Sequence, residues 1–167
     1  VEGATIRDLT VSTTFEIISG TRGGLINEVV ASSTATNITN VTTTAHITAN
    51  SGLSTVGGFV GLTNGVLNIT SSTFNGSLTY TDGSPSRVGA LIGYAQSDSL
   101  TNVITLTGNT VSGDITMTGM GLVSKTAGLV GELEDGSVTA TGNTILSDIT
   151  VSGTSEFRYS GSLIGEM

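Results

Sequence analysis

Cysteine and tryptophan are absent from this 167-residue chain, proline occurs once, at Pro85, and aromatic residues make up 4%. Without cysteine there can be no disulfide and no thiolate metal site. Five basic residues stand against thirteen acidic ones, a formal net charge of −8. That balance removes the electrostatic footprint of nucleic-acid binding. It also opposes polybasic attachment to anionic lipid. No apolar run approaches the roughly 18 residues that a membrane-spanning helix requires. Ala, Glu and Lys, the usual material of helices, are scarce. No secretory leader is legible, and the start at Val1 reads as a processing site or the edge of a segment.

What is abundant is Thr, Ser, Gly, Val, Ile and Leu, a composition suited to pleated, half-buried strands. The chain reads as all-β and, from residue 1 to 167, as a single repeat domain. One short phrase recurs five times: Gly-Gly-Leu-Ile-Asn at 23–27, Gly-Gly-Phe-Val-Gly at 57–61, Gly-Ala-Leu-Ile-Gly at 89–93, Ala-Gly-Leu-Val-Gly at 127–131 and Gly-Ser-Leu-Ile-Gly at 161–165. Their last residues, Asn27, Gly61, Gly93, Gly131 and Gly165, are 34, 32, 38 and 34 positions apart. Periods of this length mark stacked supersecondary units that bury their apolar faces only against neighbours.

Two further segments fall into register. One is Thr-rich: Thr34–Asn37, Leu67–Thr70, Thr105–Asn109 and Thr139–Asn143. The other alternates apolar and polar residues: Asp8–Val11, His46–Ala49, Ser77–Tyr80, Asp114–Met117 and Asp148–Val151. Alternation with period two is the mark of a strand with one buried face. Turn residues separate the segments. Three short strands per repeat, stacked like on like about 4.8 Å apart, predict a parallel β-solenoid (β-helix) of about five rungs. Leu9, Ile47, Leu78, Ile115 and Ile149 form one expected inward ladder. Val11, Ala49, Tyr80, Met117 and Val151 form the other. A sandwich or propeller of antiparallel repeats is the competing architecture, and near-identical apolar positions in every copy favour the solenoid. Neither end supplies an amphipathic helix or a polar cap, so the reading is a segment of a longer solenoid or a subunit that stacks.

The phrase resembles the GLUG motif, a Gly-Gly-Leu-Val-Gly-type repeat of bacterial and protist surface adhesins. All five copies carry the resemblance. Copy one departs from it at Asn27, and copies three to five replace one early glycine. The resemblance implies an extracellular or cell-surface passenger or stalk region, and it implies no peptidase activity.

Adjacent apolar residues on a strand point to opposite faces. With Leu25, Phe59, Leu91, Leu129 and Leu163 inward, the residues Ile26, Val60, Ile92, Val130 and Ile164 form an outward interface seam. It is expected to be covered by a flanking segment or a neighbouring subunit. A glycine-permitted bulge turning both residues inward is the alternative. Arg22, Arg87, Lys125 and Arg158 precede four phrases, while Glu28, Glu132 and Glu166 follow three. That pattern predicts a basic and an acidic ridge at opposite ends of the strand, both solvated.

Carboxylates that might support hydrolase or lyase chemistry are the Asp8, Asp114 and Asp148 column and the turn Glu132–Gly136, which also offers calcium three carboxylates. Neither has the pattern of a known catalytic or EF-hand site. His46 has no nucleophile–acid partners nearby and is read as taking the outward Asp position in its rung. We therefore expect no catalytic, metal or cofactor site. Outward Thr10, Thr48, Thr79, Thr116 and Thr150 form a threonine ladder, with Ser12, Asn50, Thr81, Thr118 and Ser152 beside it. Such arrays look like those of ice-binding solenoids; β-propensity and cross-rung hydroxyl pairing are the other account, and the mixed Ser and Asn of the second column weaken the ice reading. N-glycosylation sequons occur at Asn37, Asn40, Asn68 and Asn75. The leading expectation is a non-enzymatic stalk or fibre segment whose partners are flanking repeats, copies of itself or surface glycans, with ice binding as the alternative.

Overall fold

A computed structural model describes residues 1–17, 19–50, 52, 54–81, 86–96, 102–118, 123–153 and 157–167. The described residues form strands and turns and no helix. The first rung is β1 (Thr5–Ile17), β2 (Gly20–Gly23) and β3 (Ile26–Val29). The second is β4 (Thr36–Ala49), β5 (Ser54–Gly57) and β6 (Val60–Thr63). The third comprises β7 (Leu67–Thr70), β8 (Thr73–Phe74), β9 (Ser77–Tyr80), β10 (Ser86–Gly89) and β11 (Ile92–Ala95). The fourth repeats this as β12 (Val103–Thr107), β13 (Thr110–Val111), β14 (Asp114–Thr118), β15 (Val123–Ala127) and β16 (Val130–Leu133). The fifth is β17 (Ser137–Thr141), β18 (Thr144–Ile145), β19 (Ile149–Ser152), β20 (Phe157–Gly161) and β21 (Ile164–Glu166).

Every pairing between rungs is parallel, so the chain is a β-solenoid of about four turns. Two sheets are simple five-strand stacks, β2-β5-β10-β15-β20 and β21-β16-β11-β6-β3, and the third collects the remaining strands. Their registers step from Gly20 to Ser54, Ser86, Ser124 and Arg158, which reproduces the phrase spacing. The large sheet is more finely divided than three strands per rung. From the third rung on, its single long strand breaks into three, and β4 pairs in turn with β7, β8 and β9.

The first break has a backbone cause. Asp8, Asn40, Ser71, Gly108 and Gly142, one per rung, have φ of 56°, 53°, 49°, 63° and 64°. Left-handed conformation is tolerated best by Gly, Asn and Asp, which fill four of the five positions, and the column turns the sheet at the same place in every rung. The residue that follows carries a ladder of side-chain hydrogen bonds. Val41 N–H donates to Ser72 Oγ (3.1 Å), Ser72 N–H to Asn109 Oδ1 (2.9 Å), and Asn109 N–H to Asn143 Oδ1 (3.0 Å). Asn109 Nδ2 donates back to Ile69 O and Asn143 Nδ2 to Leu106 O, each at 2.8 Å. Ser72 and Asn109 are buried, and these bonds satisfy groups that water cannot reach.

The core is a set of apolar columns running along the axis. Ile38, Ile69 and Leu106 make one, Phe74 and Val111 a second, and Ile47, Leu78 and Ile115 a third; all are fully buried. Burial of each such side chain contributes about 1.5–3 kcal/mol. The expected first-rung members of two ladders are corrected by the register. Phe15, not Leu9, pairs with Ile47, and Ile17, not Val11, pairs with Ala49. Leu9 lies opposite Val41 and is 36% exposed. β1 holds one offset against β4 along its whole length, so raising Leu9 to the level of Ile47 would slip the strand and lose every other pairing. The Thr-rich segment is likewise displaced in the second rung, where Thr36 rather than Thr34 lies opposite Leu67.

Candidate functional site

Each Gly-Gly-Leu-Val-Gly phrase forms the arc between a strand of one five-strand sheet and a strand of the other. In rung two, Gly57 ends β5, Gly58 and Phe59 bend, and Val60 begins β6. A Cβ on Gly57 would lie 1.9 Å from Val60 O, and one on Gly93 would lie 2.7 Å from Val56 O. Backbone meets backbone at both positions, although the fourth rung carries Ala127 at the first of them. The arc turns both apolar residues of the phrase inward. Phe59, Leu91 and Leu129 are buried, and so are Ile26, Val60, Ile92 and Val130. The expected outward seam is therefore covered by the chain itself in four rungs. In the first rung Leu25 is half-buried, and in the fifth Leu163 is 53% exposed and Ile164 half-buried.

The same arc overturns the two separate charged ridges. Because the strands fold back on each other, Lys125 Nζ reaches Glu132 Oε1 at 2.5 Å and Glu166 Oε2 at 2.6 Å. Arg87 Nε pairs with the other oxygen of Glu132. The Arg87 guanidinium also lies 4.1 Å from the centre of the Tyr94 ring, close enough for a cation–π contact. Tyr94 Oη donates to Glu134. Burial of Lys125 works to lower its pKa, but the hydrogen bonds and charges of Glu132 and Glu166 outweigh it and hold the pKa above the ordinary 10.5. Arg22 and Arg158 are not in this column, since they lie opposite Val56 and Ser124; Glu28 is in the column of Glu132, but Leu62 and Tyr94 stand between them. Arg87 and Lys125 stand two residues before the end of their strands, Arg22 one and Arg158 three, so parity sends them to different faces.

Threonines dominate the outward face of the large sheet, and the ladder differs from the expected one. Thr48, Thr79, Thr116 and Thr150 are stacked as anticipated, but their first-rung neighbour is Glu16, not Thr10. Thr10 instead heads an unbroken column of five with Thr42, Thr73, Thr110 and Thr144. A third column holds Thr39, Thr70, Thr107 and Thr141, with Arg7 in the first rung. These two columns escaped the sequence reading because they flank the left-handed corner, where the alternation breaks. Beside the first ladder, Thr81 Oγ1 donates to Asn50 Oδ1 (3.1 Å) and Thr118 lies opposite Ser152. Ser12 lies elsewhere, opposite Thr44.

Among the carboxylates, Asp114 and Asp148 are neighbours, with Asp148 N–H 3.4 Å from Asp114 Oδ1. Asp8 is not in their column. It occupies the left-handed corner and accepts from Asn40 Nδ2 at 2.9 Å. His46 takes the outward position of that column and hydrogen-bonds Ser77 Oγ at 2.9 Å. No group of three metal-ligating side chains converges among the described residues. Of the sequon asparagines, Asn40 and Asn75 are exposed, while Asn68 Nδ2 donates to Asn37 Oδ1 (2.9 Å) in a half-buried pair. Compared with known proteins, the chain matches no family model, no curated protein and no solved structure.

Proposed function

We propose that this chain is a non-catalytic structural module, a rigid stalk or fibre segment of an extracellular or cell-surface protein. The observation that carries the reading is the unbroken lateral hydrogen bonding of two five-strand sheets from first rung to last, around one continuous apolar core. Such a stack transmits load along its axis and has no hinge between rungs. The surface placement follows from the resemblance to GLUG repeats and from the acidic, Thr- and Ser-rich composition. Its partners in this reading are flanking solenoid rungs, further copies or surface glycans. Asn40 and Asn75 are the sequons open to glycosylation. Pulling the protein by its termini in a force spectrometer tests it. A load-bearing stalk unravels in successive steps of one rung, and loss of the whole fold in a single low-force event would refute the assignment.

The threonine columns favour a second reading, binding to ice. Three regular hydroxyl-and-methyl rows lie on adjoining facets, with rungs about 4.8 Å apart and alternate residues about 6.8 Å apart along each strand. It requires thermal hysteresis or inhibition of ice recrystallisation, lost in Thr73→Lys and Thr79→Lys. Unaltered ice growth at high protein concentration would dismiss it.

A further inference from the structure

Two asparagines of the chain are followed by glycine, Asn64 and Asn75. In such a pair the side-chain amide is open to attack by the next backbone nitrogen, because glycine puts no side chain in the way. The fold treats the two pairs differently. Asn64 is half-buried, its Oδ1 is shut away from solvent, and its Nδ2 donates to Glu28 Oε1 at 3.4 Å. Gly65 beside it is buried, and its carbonyl accepts from Thr63 Oγ1 at 3.4 Å. Asn75 is exposed, and its side-chain amide has no hydrogen-bond partner among the described residues. Pairing with β4 stops at Phe74, opposite Thr43, and resumes at Ser77, opposite His46. Asn75 and Gly76 are the joint between β8 and β9. This joint is in the third rung, where Gly76 has Ala45 of the second rung on one side and Gly113 of the fourth on the other.

We propose that Asn75 is a site of spontaneous covalent modification, closing on Gly76 to a succinimide that water opens to aspartate or isoaspartate. Gly76 N bonds to Asn75 Cγ, the Cγ–Nδ2 bond breaks, and Nδ2 leaves as ammonia with the proton from Gly76 N. Water then adds to one of the two ring carbonyls. Release of the ring nitrogen from Cγ gives aspartate. Release from the backbone carbonyl carbon of Asn75 gives isoaspartate, in which the main chain runs through the former side chain. Water is the only co-reactant. Either product places a negative charge between Thr44 and Ser112, its neighbours in an outward column of uncharged side chains. The isoaspartate also adds a methylene to the main chain between Phe74 and Leu78. Both of these are fully buried, so the joint has to bulge outward. The reaction goes beyond the stalk and ice readings and rests on neither. A glycan on Asn75 would occupy the amide nitrogen and block it.

The test uses protein made in a host without N-glycosylation and held folded for weeks at mildly alkaline pH and body temperature. Peptide mass spectrometry follows each asparagine, and enzymatic methylation counts isoaspartate. Position 75 should gain about one mass unit, the excess of the water taken up over the ammonia lost. It should do so severalfold faster than position 64. In urea, where neither joint is held, the two positions should react at similar rates. Gly76→Ala would fail to fold, since its Cβ would lie 2.0 Å from Ala45 O, so the variant is Asn75→Ser, whose fold circular dichroism checks and which should abolish most of the isoaspartate. Three results would each overturn the proposal. One is a folded protein whose Asn75 stays intact over the time in which the unfolded chain reacts. The second is equal rates at Asn64 and Asn75 in the folded protein. The third is isoaspartate undiminished in folded Asn75→Ser.

Discussion

Arg87 and Glu132 meet through their side chains although they are 45 residues apart and lie on different sheets. The other oxygen of Glu132 holds Lys125, so one carboxylate of 9% exposure is shared by two cations on successive rungs. Glu132→Gln leaves both without their shared anion. Loss of a fully buried partner costs about 3–5 kcal/mol. With Arg87 at 25% exposure, water recovers part of that, and the expected loss is about 1–3 kcal/mol. Urea denaturation at neutral pH measures it. An unchanged midpoint would mean that the cluster is ornamental.

The raised pKa of Lys125 fixes a pH dependence. A lysine held above its unfolded value contributes stability that is fully present below about pH 10.4 and is lost as pH climbs through the folded value. The pH window is therefore alkaline, above the ordinary 10.5, and the direction is destabilising with rising pH. Melting temperatures of the parent and of Lys125→Met, followed from neutral to strongly alkaline pH, should converge at the top of the range. Curves that stay parallel would show that Lys125 titrates normally.

Asn109 serves as acceptor for Ser72 N–H and as donor to Ile69 O in the buried corner. Asn109→Ala orphans both, at about 1–3 kcal/mol for each group. Asn143→Ala removes the equivalent bonds to Asn109 N–H and Leu106 O, but Asn143 itself is only half-buried, so its truncation opens these groups to water and should cost less. Equal losses at the two positions would contradict the burial argument.

Ile92 is fully buried by its own chain. Ile92→Asp puts an unpaired charge in the centre of the phrase column and should cost about 3–5 kcal/mol. Because the cover is intramolecular, sedimentation should show no change in association while thermal melting drops. A folded, equally stable variant would place that side chain in solvent.

Glycine at the two ends of the phrase is not equally necessary. Ala127 stands in the fourth rung opposite Gly89 of the third, so the first position accommodates a methyl with a small shift of the arc. Gly93, the last position, faces Val56 O at 2.7 Å and Gly61 O at 2.8 Å, backbone on both sides. Gly93→Ala should destabilise more than Gly89→Ala in chemical denaturation, and the reverse order would show that the arc, not the close approach, is the tighter constraint.

Rung number and spacing were legible in the chain because a repeat must align with itself. The 34-, 32-, 38- and 34-residue steps are the steps of the stacked strands. Alternation placed Ile47, Leu78 and Ile115 correctly inside. It failed in rung one, where Asp8-Leu-Thr-Val mimics Asp148-Ile-Thr-Val yet sits six positions earlier than the true equivalent, Thr14-Phe-Glu-Ile. Local likeness lost there to the register of a thirteen-residue strand, which moves only as a whole. The charged columns were legible in part. Counting Arg22, Arg87, Lys125 and Arg158 back from their phrases separates the faces by parity, a signal available without coordinates.

The sequence by itself determined that this protein is a stack of like β-units, because period and alternation are properties of one chain read along its length. Only the tertiary structure decided what the Gly-Gly-Leu-Val-Gly phrase does. As a straight strand it would expose one of its two apolar residues. As an arc it buries both and swings Glu132 onto Arg87 and Lys125. The choice depends on whether another backbone lies within a Cβ's reach of Gly57 and Gly93, and a distance across the fold is not written in any spacing along it.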